Sequence, residues 1–74
     1  MNAEQLIAFL NALDVGELGG IRGKLAQARE VCLELKQVEL AEKLEDADRA
    51  LAQADMRTYR KRIETVISRL GHLR

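Results

Sequence analysis

Apolar residues recur along this chain at steps of three and four positions, the spacing that places side chains on one face of an α-helix. Four such stripes follow one another. The first two contain Leu6, Leu10 and Leu13, with Ile7 and Phe9 beside them, and then Leu18, Ile21, Leu25, Ala28, Cys32 and Leu35. The last two contain Leu40, Leu44, Ala47, Leu51 and Ala54, and then Met56, Tyr59, Ile63, Val66, Leu70 and Leu73, with Ile67 beside them. This pattern predicts an all-α fold, a small up-down bundle of three to four helices.

Capping residues and changes in the phase of the stripes predict where the helices begin and end. Asn2 and Gln5 have the spacing of a capping box, which starts the first helix. We expect that helix to end near Leu13 or Asp14. The step from the third stripe to the fourth is two residues, and Asp55 can cap a new helix there, which predicts a turn. The step from the second stripe to the third is five residues, without glycine, proline or a strong cap, so a turn and a bend both fit.

The composition is that of one small helical domain covering residues 1–74. The chain has no proline and no tryptophan, one phenylalanine and one tyrosine, and its apolar residues are mainly leucine and alanine, which favour helices. An alanine-rich core buries little surface in so short a chain, so we expect a homo-oligomer. The single cysteine, the lack of a long apolar run and the lack of signal-peptide features predict a soluble cytoplasmic protein without membrane contact.

Four glycines lie within eight positions of the second stripe: Gly16, Gly19, Gly20 and Gly23. A P-loop or a dinucleotide-binding loop ending here would need glycine where Leu18 stands, and a P-loop would also need serine or threonine after Lys24. The letters GIRG match the loop of KH domains, but that fold requires a β-sheet that this composition does not supply. We therefore do not expect a phosphate-binding loop.

Two structural interpretations of these glycines remain. Each glycine inside a helix costs about 1 kcal/mol relative to alanine, so the segment is expected to stay a loop or hinge as far as about Gly20. The alternative is a helix that begins at Val15, capped by Asp14 and Glu17. In that helix Gly16, Gly20 and Gly23 share one face, and the four-residue spacings from Gly16 to Gly20 and from Gly19 to Gly23 allow close contact with another helix.

Charge is balanced overall, with 12 basic and 12 acidic residues, but it is distributed unevenly. Residues 56–74 carry six basic side chains and one acidic, whereas residues 30–55 carry eight acidic and three basic. The candidate anion or partner surface consists of Arg57, Arg60, Lys61 and Arg62. It either pairs with the acidic segment, within the chain or across a dimer, or binds nucleic acid with Tyr59 stacked on a base. We favour pairing, because the two oppositely charged segments of so small a domain lie largely within one Debye length, ~8 Å at physiological salt, so that their fields partly cancel.

The remaining reactive residues do not form a catalytic or metal-binding set. His72 follows a glycine near the end of the last helix, which is typical of a C-cap. Cys32 lies on an apolar stripe without a basic neighbour, which is typical of a buried structural thiol. The acidic run from residue 39 to residue 48 contains interleaved basic residues and fits a solvated helix face better than a cation site.

The sequence therefore predicts no enzyme activity, no cofactor and no metal site. We expect a helical protein-interaction or regulatory module that self-associates or binds a protein partner. A small nucleic-acid-binding protein that uses the basic last helix is the alternative.

Overall fold

A computed structural model describes residues 1–13 and 18–73, with only the backbone described at positions 18 and 19. Its four helices are α1 (Ala3–Asn11), α2 (Leu18–Glu34), α3 (Val38–Ala52) and α4 (Met56–Gly71). Each helix packs against the next in the chain, and α1 also packs against α4. Within the described residues, no Cα atom of α2 lies within 8 Å of one in α4, and the same holds for α1 and α3, so the helices form a closed ring around one core. The all-α prediction is confirmed.

Contacts between helices show that neighbours run antiparallel. Arg22, near the start of α2, pairs with Asp48 in the second half of α3, while Arg29, further along α2, pairs with the earlier Glu45. The three residues 53–55 then reverse the chain into α4. The up-down arrangement predicted from the sequence is therefore confirmed.

The core holds apolar side chains from all four helices and, among the described residues, no buried polar or charged residue. The central members of the predicted stripes are buried: Leu6, Leu10, Leu13, Leu25, Ala28, Cys32, Leu40, Leu44, Ala47, Leu51, Tyr59, Ile63, Val66 and Leu70. The prediction is wrong at the stripe ends, because Ala54, Met56 and Leu73 lie at helix termini and are exposed. Three residues outside the stripes are also buried: Val31, Ala41 and Ala50. The buried faces of α2 and α3 are thus wider than one row of residues.

The predicted caps of α1 and α4 are present. The Asn2 side chain accepts a hydrogen bond from the Gln5 amide at 2.8 Å, and the Gln5 side chain accepts one from the Asn2 amide at 3.0 Å. The Asp55 carboxylate accepts hydrogen bonds from the Thr58 amide at 3.2 Å and the Thr58 hydroxyl at 2.7 Å. Helix α1 ends two residues before Leu13, which stays buried in the turn that follows.

Both tight turns close a helix with a residue other than glycine in the left-handed conformation. Lys36 has φ 61° and Ala54 has φ 59°. In each turn the next amide, of Gln37 or Asp55, donates to the carbonyl five residues earlier, with a nitrogen–oxygen distance of 2.8 Å. These hydrogen bonds are those of the Schellman motif, which usually has glycine at the left-handed position. The sequence fitted both a turn and a bend between α2 and α3, and the structure shows a turn.

The glycine-rich segment becomes helical earlier than predicted. Helix α2 begins at Leu18, so the loop expected as far as about Gly20 ends sooner. The first turns of α2 are held against the bundle, because Arg22 pairs with Asp48 and Ile21 packs against the core. These contacts compensate for the low helix propensity of glycine.

The described glycines do not form a close helix contact within the chain. A Cβ atom added at Gly20 or Gly23 would meet no described atom of another helix within 4 Å, so no described part of a neighbouring helix uses the space that these glycines leave. Gly19 belongs to α2 by its backbone. Gly16 lies outside the described residues, as do the predicted capping box and earlier helix start at positions 14–17.

Candidate interaction surface

Three of the four predicted basic residues lie together on the outer side of α4. Arg57, Arg60 and Lys61 are exposed and line one shallow depression with Met56 and Glu64. Arg60 and Lys61 follow Arg57 by three and four residues, which places them on the same side of the helix as Arg57, away from the buried row that includes Tyr59. We call Arg57, Arg60 and Lys61 the basic α4 surface.

The fourth predicted residue, Arg62, belongs to a different side of the helix. It is half-buried, and its Nε is buried without a hydrogen-bond partner among the described residues. Arg69 lies seven positions further along α4 and pairs with Glu39 of α3. Because residues seven apart share a helix side, Arg62 also faces α3. The prediction of one four-residue cluster is therefore corrected to three residues.

Two acidic residues of α3 pair with arginines of α2. The Nε of Arg22 lies 2.8 Å from Oδ1 of Asp48, and a second hydrogen bond from Nη2 to Oδ2 measures 3.3 Å. Arg29 Nη1 lies 3.7 Å from Glu45 Oε1. These pairs direct part of the negative charge of α3 toward α2 rather than toward α4.

Only the far end of α4 pairs with α3 in the described part of the chain. Arg69 Nη1 lies 3.3 Å from Glu39 Oε2, whereas no described carboxylate lies within 4.0 Å of the four predicted cluster residues. The predicted pairing of that cluster with the acidic segment is therefore wrong within one chain. The reason is the antiparallel register, which places the start of α4 beside the uncharged residues 50–52 at the end of α3. Pairing across a dimer stays a prediction.

A groove runs between α1 and α4, next to the basic α4 surface. It has a volume of about 440 Å³ and is lined by Leu10, Asn11, Tyr59, Arg60, Ile63, Glu64 and Ile67. Arg60 and Glu64 also line the depression on the outer side of α4, so the two features share a wall. We call this feature the α1–α4 groove. It escaped the sequence analysis because its walls come from opposite ends of the chain, and the one signal was the position of Ile67 beside the apolar stripe.

Tyr59 is not available to stack on a nucleic-acid base. Its side chain is only 2% exposed and belongs to the core, as its place on the apolar stripe also indicated. The stacking role considered for Tyr59 is therefore contradicted.

The other candidate residues do not assemble into a reactive site. Cys32 is fully buried, and burial raises the pKa of its thiol to about 11, so the nucleophilic thiolate is scarce at neutral pH. His72 caps the end of α4 and is exposed. In the described part of the chain, no three His, Cys, Asp or Glu side chains are placed to hold a metal ion. No described helix is long and apolar enough to cross a bilayer.

The arrangement is suited to binding. Three cations next to an open groove with an apolar floor can hold a ligand that carries both negative charge and apolar side chains. No family model, curated protein or solved structure matches this chain.

Proposed function

We propose that this chain is a protein-interaction module that binds an acidic segment of a partner protein through the basic α4 surface. One observation carries the proposal. Arg57, Arg60 and Lys61 lie together and exposed without an ion pair among the described residues, although arginines on α2 and at the end of α4 are paired. Clustered like charges repel one another, and a partner that supplies carboxylates relieves this repulsion.

Charges around the basic α4 surface favour a protein over a nucleic acid. Glu64 lies within the same depression, and the exposed carboxylate of Asp55 lies two residues before Arg57. A phosphate backbone is negative along its whole length and would meet these carboxylates as it passed over the surface. A protein segment can instead place its acidic residues opposite the three cations alone. The buried position of Tyr59 also removes a contact that single-stranded nucleic acid would use.

We also propose that the chain self-associates, but for a different reason from the one that the sequence suggested. The sequence-based expectation rested on the small surface that an alanine-rich core buries in a short chain, but the four helices of one chain surround a single core. Copies must therefore associate through surface residues. We also retain the proposed cytoplasmic location, because the single Cys32 is a free, buried thiol, which suits a reducing compartment.

Capture from native lysate, with and without nuclease, tests the proposed function when matched charge variants are compared. The double variant Arg57→Gln, Lys61→Gln removes two positive charges from the basic α4 surface. The matched control Lys36→Gln, Arg49→Gln removes two positive charges from exposed residues elsewhere. We expect a set of proteins that is retained by wild type and control, is lost by the α4 variant and is unaffected by nuclease. Identical capture by all three chains, or capture that depends on nucleic acid, would contradict the proposal.

A further inference from the structure

We infer that the partner docks as an amphipathic α-helix that sets its apolar side chains in the α1–α4 groove and its acidic side chains on the basic α4 surface. This inference rests on the proposed function and adds the shape and pattern of the ligand. The groove and the basic surface share Arg60 and Glu64, so a ligand of helical width that fills the groove also meets the exposed cations.

The groove has the dimensions and chemistry for one helix face. Arg60 and Ile67 line it seven residues apart on α4, a distance of about 10 Å along the helix axis. A docked helix spans the same distance in two turns and presents apolar side chains at every third or fourth position. Leu10 and Ile63 form the apolar floor of the groove, and both side chains are almost fully buried. The half-buried Ile67 is the apolar side chain that a ligand can reach.

The charges at the rim specify the pattern of the partner. Arg60 at the groove, with Arg57 and Lys61 beyond it, favours acidic residues along one flank of the docked helix. Glu64 on the shared wall disfavours an acidic residue opposite itself, so the partner carries a neutral or basic residue there. An unbroken acidic stretch therefore fits less well than an amphipathic helix with one gap in its acidic flank.

Synthetic peptides of about four helical turns, ~14 residues, test this inference without an identified partner. The parent probe carries leucine at every third or fourth position and glutamate along one flank, with glutamine opposite Glu64. A second peptide replaces leucine by serine and keeps the charge. A third replaces glutamate by glutamine and keeps the apolar face. Fluorescence anisotropy of the labelled peptides gives the affinities. We expect the second and third peptides each to bind at least about tenfold more weakly than the parent, a loss of ~1.4 kcal/mol.

A protein variant locates the docked helix. Ile67→Ala removes apolar surface from the groove, and Ile21→Ala makes the same change at a half-buried isoleucine on α2, away from it. We expect Ile67→Ala to lower the affinity for the parent peptide several-fold and Ile21→Ala to leave that affinity unchanged. Circular dichroism checks that both variants fold.

Two different failures can be told apart. If the serine peptide binds as tightly as the parent and Ile67→Ala has no effect, the partner recognises charge alone, and the groove inference fails while the proposed function stands. A parent peptide that does not bind also overturns the inference. If, in addition, the Arg57→Gln, Lys61→Gln variant captures the same proteins as wild type, the proposed function fails too.

Discussion

Glu39 and Arg69 connect the first turn of α3 to the last turn of α4, with 3.3 Å between Oε2 and Nη1. Both side chains are exposed, 79% and 52%, so the pair contributes at most about 1 kcal/mol to stability. The pair matters because it shows that α4 has an ion-paired arginine at its end, whereas the basic residues at its start are not ion-paired within the described part of the chain. There Arg57 and Lys61 have no such carboxylate among the described residues, and their charge stays available to a partner.

Replacing Ile63 by alanine is expected to destabilise the fold by about 2–4 kcal/mol, because the side chain is 8% exposed and lies in the buried row of α4. Arg60→Ala, three positions earlier on the exposed side, is expected to change the free energy of unfolding by less than about 1 kcal/mol. Urea denaturation of both variants measures the two values. A larger loss for Arg60→Ala would show that the buried face of α4 is assigned incorrectly.

Ala54→Gly is expected to stabilise the chain by roughly 0.5–1 kcal/mol. Ala54 has φ 59°, a conformation that costs an L-residue about 1–2 kcal/mol and glycine very little, partly offset by the greater freedom of glycine in the unfolded chain. Ala52→Gly, the same change within the last turn of α3, is expected to destabilise by about 1 kcal/mol. Thermal and urea denaturation compare the two variants. Destabilisation of equal size by both would contradict the left-handed turn.

The capping carboxylate of Asp55 is expected to make the stability of the fold decrease at acid pH. Hydrogen bonds from the Thr58 hydroxyl and amide lower the pKa of the Asp55 carboxyl in the folded chain. Since the folded pKa lies below the unfolded one, the contribution of Asp55 is present above about pH 4 and is lost as the pH falls through the folded value. Asp55→Asn is therefore expected to show a smaller loss of melting temperature on acidification than wild type. Identical acid profiles would show that the cap is not formed in solution.

The buried thiol of Cys32 is expected to lower the stability of the fold at alkaline pH and to react slowly with alkylating reagents. Burial raises the pKa of its thiol from 9.0 to about 11. The raised folded pKa stabilises the chain below pH 9.0, and this contribution is lost as the pH rises through about 11. Alkylation by iodoacetamide at pH 8 is expected to be slow in buffer and fast in denaturing urea. Equal rates would contradict burial of the thiol.

We expect weak self-association through one end of the bundle. Four exposed large apolar residues lie at helix termini that share this end: Met1, Leu33, Val38 and Leu73. Sedimentation equilibrium is expected to show dimers or larger species at micromolar concentration. The double variant Val38→Ser, Leu73→Ser is expected to be monomeric. Met56→Ser, at the opposite end of the bundle, is expected to form the same dimers or larger species as wild type. A constant mass of 8.3 kDa would contradict self-association.

Sequence periodicity predicted the helices and their buried rows, because the positions of Ile63, Val66 and similar residues depend only on local geometry. It could not show where the rows stop, and Met56 and Leu73 are exposed although they continue the spacing. The turn between α2 and α3 was hard to recognise, because its left-handed position holds a lysine instead of glycine.

The candidate site was predictable only in part. The basic residues of α4 are apparent from composition, but the separation of Arg62 from Arg57 depends on which side of α4 faces α3. Their lack of carboxylate partners depends on the register between the two helices, which sequence spacing does not specify. The α1–α4 groove requires Leu10 and Ile63 to meet across most of the chain length.

The binding role of the basic α4 surface is tested most directly by the affinity of the acidic parent peptide for three matched chains. Anisotropy titrations compare wild type with the Arg57→Gln, Lys61→Gln variant and with the Lys36→Gln, Arg49→Gln control. We predict that the α4 variant binds about tenfold more weakly, a change of ~1.4 kcal/mol, while the control binds within about twofold of wild type. Equal affinities of the α4 variant and wild type would contradict the proposed role of this surface.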